Sequence, residues 1–223
     1  MTQNIKKFTS KQELAASLAD YVCEQVGSGG SLVLSGGSTP KPFLQELNTR
    51  PISWKNLIIT LTDERLVEPT LPDSNEYMLR SYLTNEDLNF VPLSCHPERP
   101  KGVEGPHAAD KGPSSLTLRR DDKFNIVILG MGEDGHFASI FPDSPNLDEL
   151  LDLNNPALMA NTKTANSPHK RITLTLAALL NSKEIILYIT GEKKLEIIKN
   201  STSYPIHAIL EQDKTPVTIY YAE

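Results

Sequence analysis

Three short aliphatic runs in this chain each break off into a turn built of glycine or of charge, and this repetition constrains the fold more than any other feature. Residues 31–34 (SLVL) lead into SGGSTP, residues 57–61 (LIITL) into TDERLV, and residues 125–129 (NIVIL) into GMGEDGH. Apolar runs of this length without polar alternation read as strands buried on both faces, the pattern of a parallel sheet. Between them the period changes to helical. Leu14, Leu18, Tyr21 and Val22 recur within residues 11–26, with Ser10 and Glu13 placed as a capping box. Residues 41–47 put Phe43, Leu44 and Leu47 on one helical face, with Pro40 in the first turn. Residues 184–190 and 217–221 read as further strands, and residues 174–180 and 193–199 as helices. Strands alternating with helices predict an α/β fold, a mainly parallel sheet covered by helices on both faces in Rossmann-like fashion. All three turns then lie at C-terminal strand ends, where open α/β sheets bind ligands.

The 223 residues, 39% hydrophobic, show no internal repeat and no clear boundary, so residues 1–223 are expected to form a single domain. Residues 97–120, rich in Pro and Gly, read as an irregular surface connection. With 28 acidic against 22 basic residues and a formal charge of −6, neither nucleic acid nor membrane is expected as a partner. An anionic ligand must be held by local positive charge. Cys23 and Cys95 lack C-x-x-C spacing, and with five scattered histidines they form neither a zinc signature nor a disulfide framework. No metal is expected, and a reducing cytoplasm suits the chain. The opening MTQNIKKFTS has no apolar targeting run, and no stretch approaches the ~18 apolar residues of a membrane span.

In the first turn, Gly36 and Gly37 let the backbone bring N–H groups close to a ligand, while Ser38 and Thr39 add hydroxyls. This describes an anion cradle, and equally an ordinary strand-to-helix turn. Asp63, Glu64 and Arg65 read alone as a solvated triplet, yet they sit at a strand end. Lys170 and Arg171 precede a helix-like segment, and Lys193 and Lys194 follow a strand and a glycine. Such cations grip phosphate when brought together and are surface charge otherwise. Glycines 130, 132 and 135 spell G-x-G-x-x-G, but no ribose-binding acid follows at the expected distance and the strand is third rather than first, so no dinucleotide cofactor is expected. That leaves His136, beside Asp134, in the same layer as the cradle.

Taken in order, LSGGSTP (34–40), LTDERLV (61–67), DSNEYMLR (73–80), GMGEDGHFASIFP (130–142) and HKRITLT (169–175) resemble the 6-phosphogluconolactonases of the short bacterial type. These lie within the wider glucosamine-6-phosphate deaminase/ribose-5-phosphate isomerase-like group of folds. The related deaminases look like DGH-I-A-F-N-E-P, with a Glu used in ring opening; here residues 136–142 are HFASIFP, without that Glu. Phe137 departs from the Thr common in lactonases. The resemblance implies hydrolysis of 6-phospho-D-glucono-1,5-lactone in the oxidative pentose phosphate pathway, with no cofactor and a small-molecule sugar phosphate lactone as partner. It implies His136 as general base, Asp134 as its orienting partner and Arg65 in the lactone or oxyanion environment. Gly36, Gly37, Ser38, Thr39, Asp63, Arg171 and Lys194 are expected around the substrate and its phosphate. The oligomeric state is left open. A sugar-phosphate isomerase or deaminase, or a non-catalytic sugar-phosphate sensor, stands as the alternative.

Overall fold

A computed structural model describes residues 4–93, 123–165, 167–200 and 203–223. The expected irregular connection at 97–120 and Cys95 lie outside the described residues. β1 (Asn4–Lys7) is followed by α1 (Lys11–Val26), β2 (Gly30–Leu34), α2 (Lys41–Asn48), β3 (Leu57–Leu61), β4 (Asp63–Arg65), α3 (Asn75–Tyr82) and β5 (Asn89–Phe90). Then come β6 (Phe124–Leu129), α4 (Leu147–Leu151), β7 (Met159–Thr162), β8 (Arg171–Leu174), α5 (Leu176–Leu180), β9 (Ser182–Thr190), α6 (Glu192–Asn200), α7 (His207–Leu210) and β10 (Val217–Ala222). Ser10 caps α1 as expected, its Oγ accepting from Glu13 N at 3.1 Å. The Glu13 carboxylate returns to Thr9 N at 2.8 Å, so the box closes one residue earlier than the sequence pattern suggests.

Seven strands form one sheet in the order β1-β10-β9-β6-β2-β3-β5, with every neighbouring pair parallel. From β1 through β2 and β3 to β5 the chain steps toward one edge; from β6 through β9 to β10 it steps toward the other. Right-handed crossovers therefore place α1 and α2 on one face and α5 and α6 on the opposite face. The direction reverses between β2 and β6, which are neighbours. Their C-terminal loops splay apart at that switch point and open a crevice.

A second sheet, β4-β8-β7, is antiparallel and was not part of the sequence expectation. It corrects the helix expected at 174–180. Residues Arg171–Leu174 are strand, and the helix begins only at Leu176. The β-branched Ile172 and Thr173 favour extended backbone. Thr175 then ends the strand by capping α5, its Oγ1 accepting from Ala178 N at 3.2 Å. Buried Leu61 and Leu129 of the large sheet share one hydrophobic cluster with Ile172 and Leu174 of the small one, so the two sheets meet along a common core. No described helix is long and apolar enough to cross a membrane.

Candidate active site

The crevice at the switch point has a volume of about 220 Å³ and is walled by both sheets. Residues 35–39 after β2, with Gly130, Met131, Gly132, His136 and Ala138 after β6, form one wall; Asp63, Arg65 and Arg171 of the small sheet form the other, with Asn75 at the start of α3. Ser35 ties the strand ends together: its Oγ donates to Ile128 O at 3.0 Å, accepts from Gly130 N at 3.1 Å and lies 3.2 Å from Thr62 Oγ1. Close approach dictates glycine at two positions. A Cβ on Gly36 would collide with the Asn75 side chain, and one on Gly132 would collide with both His136 and Asp134.

The second of those gaps holds the acid–imidazole pair. His136 Nδ1 lies 2.5 Å from Asp134 Oδ1, and His136 N also approaches that oxygen at 3.3 Å. The hydrogen bond from His136 holds the Asp134 carboxyl below the usual carboxylate range, against the opposing effect of burial. Asp134 is thus ionised at neutral pH. Its charge fixes the proton on Nδ1 and leaves the lone pair on Nε2, which has no partner among the described residues. The imidazole is thus held at one ring nitrogen by Asp134, with Nε2 on its opposite edge.

The opposite wall is cationic and strained electrostatically. In the β4–β8 ladder Arg65 and Arg171 are direct cross-strand partners, and like charges placed so destabilise a sheet. Arg65 donates to Asp73 O at 2.6 Å; Arg171 donates to Ser167 Oγ at 3.2 Å and to Ser139 Oγ at 3.4 Å. Yet the Nε atoms of both are buried without a hydrogen-bond partner among the described residues. Burial lowers the pKa of Arg171, with Asp63 opposing and Arg65 adding to the shift. An unmade buried hydrogen bond costs about 1–3 kcal/mol, more for a charged group. An anion between the two guanidiniums would offset their mutual repulsion.

Asp63, expected around the substrate and its phosphate, lines the crevice. Its carboxylate accepts from Ser139 Oγ at 2.5 Å and Thr62 Oγ1 at 2.9 Å and lies 3.8 Å from Arg171 NH1. A carboxylate at this distance attracts the Arg171 guanidinium. Lys194, expected at the phosphate, is carried by another element. It sits on α6, outside the residues that wall the crevice, half-buried, with burial lowering its pKa and Glu133 opposing. Phe137 is fully buried in the core rather than in the crevice wall, so its departure from Thr leaves the polarity of the site unchanged. Asn75 and Ser139 escaped sequence reasoning about individual residues, although both fall inside motifs that carry the resemblance. Among the described residues no group of His, Cys, Asp and Glu has the arrangement to hold a metal ion.

The family described as glucosamine-6-phosphate isomerases/6-phosphogluconolactonase matches residues 9–219. The chain belongs to this family. It is similar to the 6-phosphogluconolactonase of Caulobacter vibrioides, at 36% identity over 232 residues covering 98% of this chain and 97% of that one. Similarity to the 6-phosphogluconolactonase of Rhizobium meliloti is 32% identity over 237 residues and 100% of both chains. The crystal structure of a 6-phosphogluconolactonase from Shewanella baltica matches with a TM-score of 0.84 at 34% identity, covering 100% of this chain and 98% of that one. The matched residues take in every element that walls the crevice.

Proposed function

We propose that the protein hydrolyses 6-phospho-D-glucono-1,5-lactone to 6-phosphogluconate, with His136 as general base and the phosphate held at the arginine wall. The observation that carries this reading is that two cross-strand arginines and the Asp134-paired His136 line one crevice from opposite walls. An anionic group and a reacting carbon a few ångströms away satisfy both walls at once. The relatives named above supply the reaction class.

A δ-lactone is already electrophilic, so the site needs only to position it, take a proton from water and stabilise an oxyanion. His136 Nε2 accepts a proton as the water oxygen bonds to the lactone carbonyl carbon. The tetrahedral intermediate collapses, the bond from that carbon to the ring oxygen breaks, and the ring oxygen takes the proton from Nε2. The acid formed then ionises, releasing one proton. Asp134 keeps Nδ1 protonated throughout and stabilises the transient imidazolium. Arg65 is assigned with Arg171 to the phosphate because the ladder pairs them. The hydroxyls of Ser38 and Thr39 and the backbone at Gly36 and Gly37 complete the cradle at the start of α2. Lys194, half-buried on α6, makes no hydrogen bond or ion pair among the described residues, and its flexible stem suits a supplementary contact with the same phosphate.

Incubation with fresh 6-phosphogluconolactone, corrected for spontaneous hydrolysis, and separately with glucosamine 6-phosphate tests the assignment. Accelerated lactone loss without ammonia release is expected; ammonia from the amino sugar would make the protein a deaminase, and inertness toward both would make it a binding protein.

A further inference from the structure

The loop after His136 carries a group that the reaction as written does not use. Phe141 is buried, and its ring meets both walls of the crevice. The ring centroid lies 4.3 Å from that of the His136 imidazole, with the planes 36° apart, and 5.2 Å from Arg171 Cζ. This phenyl ring is held from its own backbone. Phe141 N donates to Ser144 Oγ at 3.2 Å, and Ser144 N returns to Phe141 O at 3.1 Å. Ser144 Oγ also accepts from Thr162 Oγ1 at 3.1 Å, and Thr162 is the cross-strand partner of Arg171 on β7. On the other side of Phe141, Ser139 binds Asp63 and approaches Arg171. The loop is therefore tied to the Arg171 strand both before and after Phe141.

We propose that Phe141 is a positioning residue of the lactonase reaction, its ring holding the imidazole of His136 in register with the guanidinium of Arg171. The proposal rests on His136 being the general base. The hydrogen bond to Asp134 anchors one corner of the imidazole and leaves the ring free to tilt about it. The phenyl face removes that freedom. The same face attracts the guanidinium electrostatically, so the cation that grips the phosphate and the base that activates water are referenced to one rigid plate. Aim matters because small displacements from a near-attack geometry cost large factors in rate.

Steady-state kinetics of Phe141→Leu and Phe141→Tyr on phosphorylated and unphosphorylated gluconolactone, with thermal unfolding as a control, test this. For Phe141→Leu we expect kcat on the phosphorylated lactone to fall on the order of tenfold with KM within about twofold. The unphosphorylated lactone, which leaves the arginines unoccupied, should lose less. Phe141→Tyr, which keeps the ring, should recover most of the turnover. Should Phe141→Leu fail to fold, Phe141→Met carries the same comparison. Unchanged kcat, a loss confined to KM, or a kcat loss that Tyr does not restore would each overturn the proposal. A parallel His136→Ala enzyme separates the two levels: if it keeps wild-type turnover, the base itself is misassigned, whereas an inactive His136→Ala beside a fully active Phe141→Leu removes only Phe141.

Discussion

The two walls of the crevice are built on opposite physical terms. On the wall after β6, His136 and Asp134 are mutually satisfied and half open to solvent, their side chains 30% and 47% exposed. On the wall formed by β4 and β8, Arg171 and Asp63 are 13% and 7% exposed, and two guanidinium nitrogens have no hydrogen-bond partner among the described residues. In the proposed mechanism His136 must meet water at every turnover, so it cannot be sealed off. A phosphate site gains from desolvation, because the charges that grip the anion are then weakly screened. The first wall is at rest in the free protein, while the second holds unfavourable energy that a bound anion would release.

If that contrast is right, the largest effect belongs to the base. His136→Ala should fold with near-normal thermal stability and lose about 10²–10⁴-fold in kcat, the usual range for general-base catalysis; a folded variant with normal turnover breaks the assignment of the first wall. On the second wall, Arg171→Ala should lose roughly ten- to a hundredfold in kcat/KM on the phosphorylated lactone, equivalent to about 1.5–3 kcal/mol for a charge-assisted hydrogen bond. Its rate on unphosphorylated gluconolactone should change far less. Equal loss on both lactones would mean that Arg171 acts in folding or chemistry rather than in phosphate recognition. Inorganic phosphate should compete with the wild-type enzyme and much more weakly with Arg171→Ala.

Asp134→Asn sharpens the comparison from the base side, with an expected loss in kcat on the order of tenfold, since a half-exposed imidazole can still be oriented in part by water. Its effect on stability should depend on pH. The folded carboxyl is held below its ordinary value by His136, so its contribution is fully present above the unfolded pKa of about 3.9 and fades as pH falls through the lower folded value. Urea unfolding should separate wild type from Asp134→Asn at pH 6–7, with the gap closing below about pH 4; a gap that widened in acid would reverse the sign. The smallest effect is expected for Arg65→Met. Relief of the like-charge cross-strand pair, worth about 0.2–1 kcal/mol, offsets the lost contact with Asp73, so Tm should change little while selectivity for the phosphorylated lactone falls.

The first wall was legible in its local pattern; Arg65, Asp63 and Arg171 of the second were expected at the site through the resemblance, while the sheet that carries them was not. A buried strand followed by three glycines, an acid and a histidine is a local pattern, and Asp134 and His136 are too near in sequence to be anything but neighbours. The same holds for the 36–39 turn and for α1 with its Ser10 cap, where periodicity and capping act within a few residues. Strands β4 and β8 have three and four residues, too few alternations for a period to register. Hence ITLT read as the start of a helix.

What the sequence determined by itself is the alternation of strands and helices, the placement of polar turns at strand ends, the Asp134–His136 pairing and, through its ordered motifs, the family. These rest on interactions between residues close along the chain, which composition and spacing encode directly. Only the tertiary structure decided that Arg65 stands opposite Arg171, that Asp63 lies beside Arg171 and that Phe141 touches both His136 and Arg171. Each of those facts depends on the register between segments far apart in sequence. Register is set by how the whole core packs, and no local pattern carries it.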